Sequence, residues 1–168
     1  VSPAQIGFVE AHGTGTAVGD PIEAHALAKA LCERRSTPLP IGSVKTNVGH
    51  LETAAGIAGL LNAMLVLQHR EIPGSLHFSS PNPHIDFDKL KLRVPTDTEP
   101  FPETDGERLA GGNSFGFGGA NAHVILTEPP TVPQADHHEL WNEPPRPRLP
   151  PPRSEDRPTR TARKSGAT

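Results

Sequence analysis

The chain has 168 residues, of which 34% are hydrophobic and 4% aromatic, and its 20 prolines make it a poor candidate for a self-sufficient core. The net charge of -3, with acids and bases interspersed, points to no nucleic acid and no membrane partner, and a single cysteine excludes an internal disulfide framework. We expect a cytoplasmic protein without a secretory signal, whose first residue, Val1, is not the natural start.

A short strand and a glycine-rich loop open the chain. The apolar run at residues 6–9 predicts a buried strand, which leads into the loop His12-Gly13-Thr14-Gly15-Thr16. A helix follows, for which Asp20 is a suitable N-cap and Glu23, three residues later, would close a capping box. We expect this helix to end near Arg34. Its predicted apolar stripe consists of Ile22, Ala26, Leu27, Ala30 and Leu31.

A second strand, loop and helix follow in the same order. Residues 39–44 predict a strand interrupted by Pro40, which leads into the loop Lys45-Thr46-Asn47-Val48-Gly49-His50. The next helix is expected over residues 52–69, and its small residues allow close approach of a neighbouring backbone. Because this helix is apolar on nearly every side and too short to span a bilayer, we predict that it lies between layers.

The remaining part of the predicted domain is punctuated by proline and glycine. Residues 72–102 form a connection with a possible strand at 90–94, and residues 110–115 and 121–127 predict two further strands. Between these strands lies the turn Phe115-Gly116-Phe117-Gly118-Gly119-Ala120, where glycine permits positive φ or a close approach. The order of elements predicts an α/β fold over residues 1–128. Residues 129–168, rich in proline and arginine, predict a disordered tail or linker.

The glycine-rich loops suit a site that polarises a carbonyl oxygen. A neutral imidazole donates one N–H to a developing oxyanion, so His12 and His50 together can stabilise an enolate. The glycines add backbone N–H donors. The hydroxyls of Thr14 and Thr16 alternate with glycine and can line a channel for a polar, amide-bearing arm.

Four segments of the chain form a recognisable set. They are His12 to Thr16 with the following Gly19-Asp20-Pro21-Ile22-Glu23-Ala24, Lys45 to Glu52, Ser80-Pro81-Asn82-Pro83, and Asn113 to His123. In this order they resemble the beta-ketoacyl synthase family, specifically the ketosynthase domain of type I polyketide and fatty acid synthases. The resemblance covers residues 2–128 and implies a thiolase-like fold, of which this chain matches the C-terminal half.

The resemblance also implies a reaction and the residues that take part in it. In that family an acyl group is held as a thioester on a cysteine, and a malonyl-type group on an acyl carrier protein loses carbon dioxide to give the attacking enolate. By position, His12 and His50 would promote decarboxylation, and Lys45 would support their hydrogen bonds. The backbone N–H of Phe117 would be an oxyanion donor. Substrate-binding roles would fall on Thr14, Thr16, Phe115 and Asn121. No cofactor is expected to bind directly, because the phosphopantetheine arm of the carrier protein delivers the substrate.

One departure from the family decides what the chain can do alone. The nucleophilic cysteine is absent, because Cys32 lies near a helix end and is better interpreted as a packing thiol. We therefore expect the chain alone to be inactive, and to need the N-terminal half of the ketosynthase and an acyl carrier protein. The intact enzyme is expected to be a homodimer.

Other interpretations stay open beside this one. A non-catalytic thiolase-like remnant can bind a carrier protein or a partner chain without chemistry. The loop at residues 13–19 lies between a strand and a helix, but its glycine spacing is not that of a nucleotide-binding loop. The histidines lack the spacing of metal ligands, so no metal site is predicted. His123 is most simply a hydrogen-bonded structural residue.

Overall fold

The computed structural model describes residues 1–104 and 106–128, and the predicted tail at 129–168 lies outside the described residues. The helices in the described part are α1 Gly19–Leu27, α2 Lys45–Val48, α3 Ala55–His69 and α4 Phe87–Leu90. Its strands are β1 Ile6–Glu10, β2 Leu39–Gly42, β3 Glu71–Ile72, β4 Leu92–Arg93, β5 Glu99–Pro100, β6 Leu109–Phe115 and β7 Asn121–Thr127. The predicted α/β order is confirmed, including both long helices and the strands on either side of the glycine turn.

Five strands form one sheet in the order β4-β2-β1-β6-β7, with β1 at its centre. β1 pairs in parallel with both β2 and β6, whereas β7 is antiparallel to β6 and lies at the edge. Every residue of β1 is buried. Because β1, β2 and β6 are parallel, the loops that follow them leave from the same edge of the sheet. This topology brings the three glycine-rich loops together.

Two apolar clusters lie on opposite faces of the central strand. Val9 faces the cluster that contains Leu27 of α1, while its neighbour Phe8 faces the cluster that contains Ala63 and Leu67 of α3. Successive side chains of a strand point to opposite faces, so one strand organises both layers. The sheet therefore carries α1 on one face and α3 on the other.

The first helix differs from its prediction. α1 begins at Gly19, after Val18 with no side-chain cap, and Asp20 accepts a hydrogen bond from the Gly15 amide at 3.1 Å. Glu23 closes no capping box, because its carboxylate is turned toward the preceding loop. The helix continues as a π-helical turn, Ala28–Cys32, and ends before Arg34. The predicted stripe was wrong for Ile22, Ala26 and Ala30, which are exposed. The buried residues are Glu23, Ala24, Leu27, Ala28 and Cys32.

Helix α3 is apolar on two faces, and the described residues cover one of them. A Cβ at Gly56 would lie 2.9 Å from the Ser114 hydroxyl oxygen, so glycine allows α3 to approach β6 closely. The opposite face is exposed and consists of Ile57, Leu61, Met64 and Leu65. The apolar composition of α3 is that of a helix between two layers. In the described residues, however, α3 is covered by the sheet on one side only. Within the described residues, no helix is both long and apolar enough to cross a membrane.

Candidate active site

Two histidine rings face each other at the edge of the sheet where the parallel strands end. His12 follows β1, and His50 follows α2 in the loop after β2. Their ring centroids are 5.8 Å apart, and the rings meet edge to face at 89°. The ring of Phe115, at the end of β6, lies 5.3 Å from the His12 ring. The structure thus brings together side chains from all three loops.

His12 is held in its neutral form. Partial burial lowers the pKa of its imidazole, and the nearby positive charge of Lys45 lowers it further. The Nδ1 atom of His12 is buried and has no hydrogen-bond partner among the described residues. A neutral ring of this kind can act as an N–H donor toward a developing negative charge.

The tautomer of His50 follows from its backbone contact. The amide N–H of Glu52 donates to Nδ1 of His50 at 2.9 Å. Because Nδ1 accepts this hydrogen bond, the proton of the neutral ring is on Nε2. Glu52 adopts a left-handed backbone conformation with φ of 49°, which is unfavourable for a residue with a side chain. The strained turn at Glu52 therefore leaves Nε2 as the N–H donor of the neutral His50 ring.

Lys45 begins α2 and is half-buried. Burial lowers the pKa of its ammonium group, while the negative charges of Glu10 and Glu23 oppose that shift. Lys45 and Glu23 line a cavity of about 790 Å³ that also reaches the loop at Gly13. The charge of the ammonium group lowers the pKa of His12, and the charges of both carboxylates raise the pKa of Lys45.

Glu23 joins the His12 loop to β6. Its carboxylate is buried and accepts hydrogen bonds from the amides of His12 and Gly13, at 2.7 and 3.0 Å. It also accepts from the Asn113 side-chain amide at 2.8 Å. The Asn113 side-chain oxygen in turn accepts from Nδ1 of His123 at 2.6 Å, which is in accord with the structural interpretation of His123. The loop that carries His12 is therefore anchored from α1.

Glu10, the last residue of β1, is also buried, with 1% of its surface exposed. Its Oε1 accepts from the Val44 amide at 2.7 Å, and its Oε2 accepts from the Asn62 side-chain amide at 2.7 Å. Burial raises the pKa of Glu10 to about 7, although both hydrogen bonds and the charge of Lys45 lower it. The carboxyl group therefore titrates near neutral pH.

This pKa predicts how pH affects the stability of the fold. The folded pKa of Glu10 is raised, so its contribution is fully present below about pH 4.5 and is lost as pH rises through about 7. Replacing Glu10 by glutamine should remove a pH-dependent difference of roughly 3 kcal/mol in the free energy of unfolding over that window. Denaturant unfolding of both proteins across the window measures it. Parallel stability curves would contradict the assignment.

The other predicted site residues are exposed, except Thr14, which is half-buried. The hydroxyls of Thr14 and Thr16 are 3.4 Å apart, and Thr16 also accepts from the Gly19 amide at 3.1 Å. The Phe117 side chain is fully exposed at the tip of the glycine turn, and the amide of Phe117 has no backbone partner among the described residues. Asn121 begins β7 and is exposed, opposite Phe115 in the register.

Sequence reasoning missed the two carboxylates and their amide partners. The spacing of Glu23 predicted a capping residue, and no role was predicted for Glu10 or Asn62. A signal was present, because a charged residue inside or beside a buried run must find partners or change its protonation state. The sequence did not show which residues would be the hydrogen-bond partners of these carboxylates.

The single cysteine, Cys32, has the surroundings of a packing residue. Cys32 is buried in the cluster with Ile6 and Leu39, and burial raises the pKa of its thiol, which opposes a nucleophilic role. Within residues 1–104 and 106–128, no group of three His, Cys, Asp or Glu side chains is arranged to hold a metal ion.

Two family profiles match the chain. The profile described as beta-ketoacyl synthase, C-terminal domain, matches residues 1–79, and the ketoacyl-synthetase C-terminal extension matches residues 81–157. Polyketide synthase GfsA of Streptomyces halstedii is 55% identical over 80% of this chain and 2% of its own length. The hybrid PKS-NRPS synthetase pytA of Aspergillus terreus is 50% identical over 76% of this chain and 20% of its own length.

Solved structures agree with the profiles. The oxazolomycin ketosynthase domain OzmH KS7 of Streptomyces albus JA3453 has a TM-score of 0.73 at 43% identity and covers 80% of this chain. Ketosynthase twelve of the bacillaene synthase of Bacillus amyloliquefaciens has a TM-score of 0.72 at 42% identity and covers 77%. The chain spans 25% and 23% of these two structures, respectively.

The mixed sheet with its paired histidine loops is thus the C-terminal part of a thiolase-like fold. The chain belongs to the beta-ketoacyl synthase family and corresponds to the C-terminal part of its ketosynthase domain. The resemblance inferred from the four motifs is confirmed.

Proposed function

We propose that this chain supplies the enolate-stabilising half of a ketosynthase site, in a cytoplasmic polyketide synthase that acts as an acyltransferase by decarboxylative condensation. The observation that carries the proposal is the histidine pair. Two imidazoles from separate loops lie 5.8 Å apart, and the Glu52 amide leaves the proton of His50 on Nε2. Two such donors suit one oxygen that gains negative charge in the transition state.

The proposed reaction assigns each bond change to a group. The bond between the carboxylate carbon and Cα of a malonyl thioester breaks, carbon dioxide leaves, and the electron pair passes into an enolate. The enolate oxygen accepts hydrogen bonds from His12 and His50. The enolate carbon then attacks the acyl thioester, a carbon–carbon bond forms, and the cysteine thiolate leaves. Lys45 keeps His12 neutral during these steps, because its charge disfavours a second positive charge beside it.

The remaining predicted residues are proposed to handle the substrate. The Thr14 and Thr16 hydroxyls are suitably placed in the loop to contact the phosphopantetheine arm of an acyl carrier protein, the expected partner. The Phe117 amide, free of backbone partners among the described residues, is proposed as an oxyanion donor. Phe115 and Asn121, opposite each other in the β6 and β7 register, are proposed to bound the acyl and arm channels.

The N-terminal half of the ketosynthase is the second proposed partner. It would supply the nucleophilic cysteine, which Cys32 cannot replace because that thiol is buried. It would also cover the exposed apolar face of α3, which in isolation leaves a hydrophobic patch in water. The complete enzyme is proposed to be a homodimer.

Substitutions on that face should separate solubility from assembly. We expect Leu61→Glu to reduce self-association of the isolated chain, because a charge interrupts the apolar patch. The same variant should fail to assemble with the N-terminal half, since the charge would be buried without a partner. Size-exclusion chromatography with and without the N-terminal half measures both effects. Lys29→Glu, an exposed change on the π-helical turn, is the matched control, and normal assembly of Leu61→Glu would contradict the prediction.

The test of the function is carbon dioxide release from malonyl-carrier protein by the complete ketosynthase, meaning this chain together with the N-terminal half. Loss of that activity on substituting His12 and His50 together supports the proposal. The alternative, a non-catalytic remnant that only binds a carrier protein or partner chain, predicts binding without release of carbon dioxide and no effect of either substitution.

A further inference from the structure

One buried carboxylate connects the end of β1, the turn before Lys45 and helix α3. Glu10 is the last residue of β1 and lies two residues before His12. Its Oε1 holds the Val44 amide, immediately before Lys45, and its Oε2 holds Asn62 on α3. The partners of Glu10 are 34 and 52 residues away along the chain. Any movement of this side chain would therefore move the Lys45 turn relative to His12.

The negative charge of Glu10 needs an explanation beyond these hydrogen bonds. Both of its partners are neutral amides. An uncharged side chain could also accept hydrogen bonds from these amides, and its burial would cost less desolvation energy. Among the described residues, no cationic side chain lies within ion-pair distance of Glu10. Lys45 is the cation whose charge acts on it from farther away. The charge of Lys45 therefore acts on the Glu10 carboxylate over a distance, without an ion-pair contact.

The helix packed against Glu10 leaves room for this side chain. A Cβ at Gly59 of α3 would lie 3.2 Å from Cγ of Glu10 and 3.5 Å from its Oε1. Gly59 is itself buried. A side chain at this helix position would contact Glu10 tightly, so glycine leaves room for the Glu10 side chain.

Resting on the proposed function, we propose that Glu10 is a positioning residue for the reaction at His12 and His50. Its carboxylate holds the turn that carries Lys45 and balances the Lys45 charge. The carboxylate favours the charged form of Lys45, and the charge of Lys45 in turn favours the neutral form of His12. The effect passes from Glu10 to Lys45 and from Lys45 to His12, and Glu10 itself touches no substrate.

The charges around Glu10 are consistent with this order. The negative charge of Glu10 raises the pKa of Lys45, and the positive charge of Lys45 lowers the pKa of His12. Glu23 of α1, which lines a cavity together with Lys45, raises the pKa of Glu10, of Lys45 and of His12. Protonation of Glu10 near pH 7 would therefore weaken the support of Lys45 within the physiological range.

The experiment measures carbon dioxide release by the complete ketosynthase. Glu10→Gln is expected to lower kcat by about tenfold at about pH 8 and to leave KM for malonyl-carrier protein within about twofold. In a Lys45→Met background the same substitution should change kcat by less than about twofold, because Glu10 then has no charge to act through. Glu33→Gln, at an exposed position, is the matched control and should match the unmodified enzyme.

A second variant tests the inference if Glu10→Gln does not fold. Asn62→Ala keeps the carboxylate but removes a hydrogen bond that lowers the pKa of Glu10, so the acid limb of the kcat profile should move to higher pH. An unmoved limb overturns the inference. So does Glu10→Gln with unchanged kcat, or losses from Glu10→Gln and Lys45→Met that simply multiply, which is the behaviour of independent structural roles.

The outcome also separates this inference from the proposed function. If His12 and His50 substitutions abolish carbon dioxide release while Glu10→Gln does not reduce it, the positioning role alone fails. If the histidine substitutions leave the release unchanged, the proposed function fails and the positioning role fails with it.

Discussion

Replacing either His50 or His12 by alanine is expected to lower carbon dioxide release from malonyl-carrier protein by about a hundredfold to a thousandfold, because in the proposed reaction each ring is a preorganised donor to the enolate oxygen. In His50 the donor is Nε2, since the Glu52 amide occupies Nδ1 at 2.9 Å. A preorganised donor stabilises the transition state more than the substrate, so kcat should fall while KM changes little.

Two comparisons keep this prediction specific to the site. His69→Ala, an exposed substitution at the C-terminal end of α3, should leave both constants unchanged. His50→Gln retains an N–H donor near the same place and should recover part of the rate lost in His50→Ala. Equal activity of His50→Ala and the unmodified enzyme would exclude an enolate-stabilising role for this ring.

The second large effect is expected from Glu23→Ala. This substitution leaves the amides of His12 and Gly13 and the side-chain amide of Asn113 without their buried acceptor. Leaving such donors unpaired should lower the free energy of local opening of the His12 loop by roughly 3 kcal/mol, so that its amides exchange about a hundredfold faster. Hydrogen exchange of a peptide that spans residues 8–19, in the complete ketosynthase, measures this.

The matched control is Glu33→Ala, which removes an exposed carboxylate from the end of the same helical segment. It should leave exchange of the loop amides unchanged, because Glu33 accepts no hydrogen bond from them. If Glu23→Ala exchanged at the unmodified rate, the loop would be held by something other than this carboxylate, and the role of α1 in placing His12 would have to be abandoned.

The sequence predicted the elements that depend on neighbours in the chain. Strands β1, β2, β6 and β7 and helices α1 and α3 were predicted where apolar runs end at glycine or proline, because those signals act over a few residues. The loop predicted at residues 45–50 instead begins with the short helix α2. The capping prediction for α1 failed for one reason. Asp20 and Glu23 have the spacing of a capping box, but both carboxylates are used by the preceding loop. Residue spacing alone does not show whether a carboxylate accepts hydrogen bonds from the helix amides or from the loop amides.

The candidate site divides in the same way. The sequence alone determined that His12 and His50 follow strands in glycine-rich loops, and parallel order then requires those loops to share an edge. Only the tertiary structure decided that the rings meet edge to face, that the Glu52 amide selects the tautomer of His50, and that Glu10 and Glu23 hold the loops. These features depend on angles and on partners up to 90 residues away, and chain order alone does not specify either.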